Sequence, residues 1–97
     1  MANPERLVVE GATVLRFSPH VKFRFDETRQ RWVVLAPERL LLPDELSVEI
    51  LQKVDGKHSV DDIVDGLAAK FEAPRAEIFA DVATLLQDLA DKGTLTR

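Results

Sequence analysis

The chain has no cysteine and no tyrosine, one tryptophan and two histidines among its 97 residues. Without cysteine there is no disulfide framework, no thiolate nucleophile and no Cys-ligated zinc or iron–sulfur centre. His20 and His58 stand far apart and read as turn residues of the surface rather than a metal pair. The four glycines form no phosphate-cradling motif. The longest apolar runs are of the order of Trp32 to Ala36, too short to span a bilayer. The opening Met-Ala-Asn-Pro-Glu-Arg lacks the basic-then-apolar layout of a secretion signal, so a cytoplasmic location is expected. An excess of positive charge is missing too. The net charge is −4, and residues 38–97 carry thirteen acidic against seven basic side chains. A nucleic-acid binder shows a basic face that displaces phosphate counterions, so neither nucleic acid nor membrane is an expected partner.

What is present is an ordinary globular composition, 45% hydrophobic and 31% charged, with room for one domain. Val21, Phe23 and Phe25 alternate with Lys22, Arg24 and Asp26, the period of two of a half-buried strand. The polar stretch Asp26 to Arg31 reads as a hairpin loop, and Trp32 to Ala36 as a second strand rich in β-branched and aromatic residues. Pro37 turns the chain. Residues Glu38 to Leu42 follow as a third strand, and a proline at each end suits a sheet edge.

After Pro43 the period becomes helical. Asp44 is placed to cap a first helix that presents Leu46, Ile50, Leu51 and Val54, with Gly56 as its left-handed C-terminal cap. Ser59 and Asp62 stand in capping-box relation ahead of a second helix, Val60 to Phe71. Pro74 and Gly93 bracket a third, and Leu95 falls in a short tail. The expected fold is α+β and winged-helix-like: a three-stranded antiparallel sheet over about residues 20–42, then helices over about 45–54, 60–71 and 75–92. Residues 1–16 are expected to be a flexible arm, and 17–97 the single folded domain.

The third helix carries the main functional signal. At about 100° per residue its apolar side covers roughly 160°, against a little over about 100° for a helix with one buried face. Two readings follow: the helix is wedged against both sheet and helices, or part of its stripe lines a groove open to a partner. A winged helix often reads DNA, yet this helix carries Glu77, Asp81, Asp88 and Asp91 against Arg75 and Lys92. Phosphates would repel it. Asp61, Asp62 and Asp65 suit the solvated first turns of a helix rather than a catalytic cluster. No serine has an activating histidine in any local motif. The chain is therefore expected to be a binding module, not an enzyme, with no metal and no cofactor. Its two usable features are the edge strand, whose unpaired backbone invites an added peptide strand, and the wide stripe. Arg29 and Arg31, near Lys22 and Arg24, form the one basic area, read either as a soluble hairpin tip or as a docking patch.

Phe23-Arg24-Phe25-Asp26, then Arg29-Gln30-Arg31-Trp32 and Leu35-Ala36-Pro37-Glu38-Arg39, resemble the pyrroloquinoline quinone biosynthesis protein D family, PqqD. The resemblance continues through Glu49-Ile50-Leu51, Asp55-Gly56, Val60 to Val64, Asp81-Val82 and Leu85 to Leu89, to Lys92-Gly93. It implies a peptide chaperone, a recognition element for ribosomally made precursor peptides. Such proteins bind the precursor PqqA and present it to the radical S-adenosylmethionine enzyme PqqE, which joins a glutamate and a tyrosine side chain of the peptide. It also implies strand addition beside the third strand, against the third helix. Carried onto this chain, the peptide-binding residues are Arg39, Leu40, Leu41, Leu42, Ile78, Phe79, Val82, Leu85 and Leu86. Arg29, Arg31 and Trp32 become the surface for the partner enzyme. Replacing Leu41 or Val82 by Asp is then expected to abolish binding without unfolding the chain. The alternatives are a leader-recognition domain of another modified-peptide pathway, or a winged-helix DNA-binding regulator. A monomer is expected, with a hairpin-exchanged homodimer available through the short Leu42-Pro43-Asp44 link.

Overall fold

The computed structural model describes residues 6–97. The element order is β1 (Arg16–Phe17), β2 (Lys22–Asp26), β3 (Arg31–Ala36), β4 (Arg39–Leu41), α1 (Glu45–Leu51), α2 (Val60–Phe71), α3 (Arg75–Asp91) and β5 (Leu95–Thr96). The α+β class and the sheet of three antiparallel strands, ordered β2-β3-β4, agree with the sequence. β2 and β3 close on Asp26↔Arg31, and the Asp26 carboxylate accepts from the backbone N–H groups of Thr28 and Arg29. That local side-chain acceptor replaces the tight glycine turn, and Gln30 takes the one left-handed position, φ 56°. Pro37 and Glu38 alone separate β3 from β4, which pair from Ala36↔Arg39 to Val34↔Leu41.

Asp44 caps α1, its carboxylate accepting from the Ser47 N–H at 2.8 Å. The helix stops at Leu51 rather than at 54, and tighter turns, Lys53 N–H to Ile50 and Val54 N–H to Leu51, carry Val54 into the core. Gly56 is therefore not the helix cap. Its left-handed φ of 78° instead turns its N–H onto the Leu15 carbonyl, 2.9 Å away. The capping box of α2 is formed in both directions, between Ser59 and Asp62. α3 ends in a Schellman motif around Gly93, also at φ 78°: Thr94 N–H donates to the Leu89 carbonyl and Gly93 N–H to that of Ala90.

Residues 7–16, expected to belong to a flexible arm over 1–16, run against the domain, with Leu7, Val9 and Leu15 packed on its core. Leu15 is 3% exposed and sits in the core with Val34, Ile50, Leu67, Val82 and Leu86. The first N–H groups of a helix have no partner within it. Here those of Val60 and Asp61 donate to the carbonyls of Thr13 and Gly11, at 2.9 and 2.8 Å. Leu95, expected in a tail, is 2% exposed because β5 pairs with β1 through Phe17↔Leu95. The first five residues of the expected arm lie outside the described residues.

Candidate functional site

β4 is an edge strand. Its inner side pairs with β3, and no strand pairs its outer side among the described residues. Leu41, opposite the buried Val34, packs on the core, whereas Leu40 and Leu42 are 41% and 47% exposed. Two openings place this edge relative to α3. A cavity of about 240 Å³ brings Arg39, at the start of β4, to Lys92 and Gly93 at the end of α3. Another, of about 390 Å³, brings Leu46, just beyond β4, to Ile78 near the start of α3. The chain from β4 into α1 thus runs against the direction of α3. Ile78, Leu85 and Lys92 are spaced by seven and share one line along α3, and Ile78 and Lys92 each border one of these openings.

The structure divides the expected peptide-binding residues. Arg39, Leu40 and Leu42 are exposed on the edge, Leu41 is half-buried, and Leu85 is half-buried against the core. Ile78 is 7% exposed, and Val82 and Leu86 have no exposed surface. Phe79 is turned toward α2: the Arg75 guanidinium lies 6.0 Å from its ring and bonds Asp61 and Asp65 of that helix. An Asp at Val82 would bury a charge in the core, so that substitution tests folding and not the groove.

The excess width of the α3 stripe has a second explanation, which sequence reasoning missed. Burial alternates along residues 6–10, and Leu7 and Val9 pack on the core. The Gln87 side-chain amide clasps this strap, donating to the Leu7 carbonyl and accepting from the Val9 N–H, both at 2.9 Å. Arg6 closes it with two bonds to Asp91, at 3.0 and 2.9 Å. These contacts hold the Arg6 guanidinium pKa above its usual value and the Asp91 carboxyl below its own, with the side-chain bond as the main cause in each case. Gln87 gave no sequence signal, since one exposed-looking amide on a helix has no periodicity.

Arg29, Arg31 and Trp32 line a cleft of about 740 Å³ between the β2–β3 hairpin and α1. Its aromatic wall is built by Trp32, stacked on Phe23 at 4.8 Å and met edge-on by Phe25 at 6.0 Å. Phe25 is 44% exposed. The two arginines are held: Arg29 pairs with Asp26 at 2.8 Å, and Arg31 donates to the Pro43 carbonyl at 3.2 Å. Asp44, Glu45 and Glu49 face them across the cleft. Among the described residues no three His, Cys, Asp or Glu side chains are grouped to hold a metal ion. Asp61 and Asp65, read as a solvated face, both pair with Arg75. The Asp55 carboxylate accepts from the N–H groups of His58 and Lys57, which lower its pKa to about 2.

Residues 31–95 match the family model described as coenzyme PQQ synthesis protein D (PqqD). This chain belongs to the PqqD family. The PqqA binding protein of Rhodopseudomonas palustris (strain BisB5) is 66% identical over 77 residues, 79% of this chain and 76% of the relative. That of Bradyrhizobium diazoefficiens is 53% identical over 96 residues, 99% of this chain and 93% of the relative. Among solved structures, the chain is similar to the PqqD truncation of Methylobacterium extorquens PqqCD. That protein is a functional, stand-alone recognition element for ribosomally synthesized and post-translationally modified peptides. The TM-score is 0.77 at 39% identity, over 92% of this chain and 95% of that one. The matched residues take in Arg31-Trp32 and Leu35-Ala36-Pro37-Glu38-Arg39 but not Phe23-Arg24-Phe25-Asp26. Among the described residues no helix is long and apolar enough to cross a membrane.

Proposed function

We propose that this PqqD-family chain is a peptide chaperone that takes the precursor peptide PqqA as an added strand on β4, beside α3, and presents it to the radical S-adenosylmethionine enzyme PqqE. The observation that carries this reading is the outer side of β4, which no strand pairs among the described residues, with Leu40 and Leu42 exposed. In a two-residue hairpin the pair beside the turn exchanges hydrogen bonds and pairs then alternate. That alternation directs the Leu40 N–H and carbonyl outward, where a peptide strand would replace water. Arg39, Leu40, Leu41 and Leu42, with Leu85 and the exposed margin of Ile78, are the contact residues in this reading. Val82 and Leu86 hold α3 in place behind them, and Phe79 fixes the helix against α2. The relatives' name, PqqA binding protein, supports the choice of peptide. The cleft at Arg29, Arg31 and Trp32 is the surface assigned to the enzyme, which supplies the cross-linking chemistry.

Each net hydrogen bond contributes only about 1 kcal/mol, and a flexible peptide loses conformational entropy on binding. Affinity in the micromolar range or somewhat better is expected. The test is a nitrogen–proton correlation spectrum of the labelled chain, titrated with synthetic PqqA. Shifts concentrated on Arg39–Leu42 and the facing side of α3 are expected. A peptide N-methylated at alternate residues keeps its side chains but loses donors, and should bind about tenfold more weakly. An unchanged spectrum at near-millimolar peptide would overturn the reading.

A further inference from the structure

The cavity of about 390 Å³ beyond the end of β4 has features that a plain sheet edge does not need. It is lined by Glu45, Leu46, Glu49, Phe71 and Ile78, drawn from the start of α1, the end of α2 and the start of α3. Phe71 is 46% exposed, a large aromatic side chain left open to solvent although α2 has a complete inner face without it. The rim is acidic but not uniformly so. Glu49 accepts from Lys70 at 2.7 Å, and Lys70 lies 5.5 Å from the centre of the Phe71 ring. Glu45, exposed at the rim, makes no ion pair among the described residues. With Glu49 paired to Lys70, Glu45 is the carboxylate at this opening that stands outside an ion pair among the described residues, and it also borders the cleft of Arg29 and Arg31. The chain passes from the exposed Leu42 at the end of the edge to the opening at Leu46 in four residues.

Building on the proposed strand addition, we infer that this cavity is an anchor pocket: it takes one large apolar side chain of the bound peptide, with a basic residue beside it facing Glu45. Strand addition recognises backbone and tolerates many sequences. A pocket of this volume selects by side-chain size, and a carboxylate outside any ion pair selects by charge. The two together give the edge a preferred register, because a strand slipped by one residue turns the anchor away from the pocket.

The experiment measures the affinity of synthetic PqqA, and of a set of PqqA peptides each carrying one alanine, for the wild-type chain and for Phe71→Ser and Glu45→Lys. Both side chains are exposed, and circular dichroism establishes that the variants are folded. The inference expects one large apolar peptide position whose alanine form binds the wild type about tenfold more weakly. It also expects Phe71→Ser to weaken intact PqqA by a similar factor while leaving that alanine peptide unaffected. Glu45→Lys should cost severalfold at low salt and little at high salt, as a screened charge contact requires. If the wild type binds PqqA but both variants bind it equally well, the pocket is overturned and strand addition stands. If the wild type does not bind PqqA, both are overturned.

Discussion

The two flanks of α3 meet neighbouring chain in opposite ways. On one flank the strap around Leu7 and Val9 is held by the Gln87 amide and the Arg6–Asp91 pair. On the other, β4 lies with its outer backbone unpaired and Leu40 and Leu42 exposed. The strap is covalently joined to the domain, so it closes without the loss of translational freedom that binding a separate peptide entails. A side-chain amide there does what a partner strand does elsewhere, matching one carbonyl and one N–H. In the proposed reading, the β4 flank offers the same kind of backbone groups to a segment from outside the chain, so that one flank is closed by the chain itself and the other by a bound peptide.

That contrast breaks first in the core behind both flanks. Leu86→Ala removes a side chain with no exposed surface and should cost roughly 2–5 kcal/mol in urea unfolding. Leu40→Ala, at 41% exposure, should change stability by less than about 1 kcal/mol while weakening PqqA binding. Comparable losses of stability in the two variants would mean that β4 is a structural element and not an open edge. The strap flank gives an intermediate effect. A Cβ on Gly11 would stand 2.5 Å from the Asp61 carboxylate, which Arg75 holds at 2.7 Å. Gly11→Ala should therefore displace the strap from α2 at a cost of about 1–3 kcal/mol, as overpacking does. Gln87→Ala should cost about 1 kcal/mol for each of its two bonds to the strap and speed hydrogen exchange at the Val9 amide. Peptide affinity should be unchanged in both; a loss of affinity would join the two flanks into one site.

What was legible in the sequence followed periodicity. The capping residues Asp44 and Ser59 and the strand and helix periods all act within a few residues. The caps form as expected. The alternation from Val21 holds to Arg24 and fails at the exposed Phe25, and the stripe behind Ser59 holds to Leu67 but not to the exposed Phe71. The strap was not legible, because its partners Gln87 and Asp91 lie 78 to 85 residues away and leave no local pattern. Gly56 misled for the same reason: its positive φ serves the Leu15 carbonyl across the fold, not the helix just before it. At the candidate site, the edge strand was readable from its flanking prolines. The choice among α3 residues was not. A stripe of roughly 160° says how much surface is apolar, but only the neighbours decide that Ile78, Val82 and Leu86 are buried core while Leu85 is half-buried at its margin.

The smallest effect is a titration, and it too separates the flanks. Asp55 accepts from the Lys57 and His58 N–H groups at 2.9 and 3.0 Å, and the loop so formed aims Gly56 N–H at Leu15, beside the strap. The carboxyl is drawn down from 3.8 to about 2 in the folded chain. A lowered folded-state pKa stabilises the fold at pH values above the ordinary one, and that contribution fades as pH falls from 3.8 toward 2. The group is exposed, so solvent and salt keep the effect small. Carboxyl-detected NMR should place the Asp55 midpoint near 2, and the Gly56 amide should exchange faster as that proton binds. In Asp55→Asn both the midpoint and the acid-dependent exchange at Gly56 should vanish, while the β4 amides keep the wild-type profile. An Asp55 midpoint in the ordinary carboxylate range would mean that the loop does not hold Gly56 against Leu15, and that the strap flank is less closed than β4 is open.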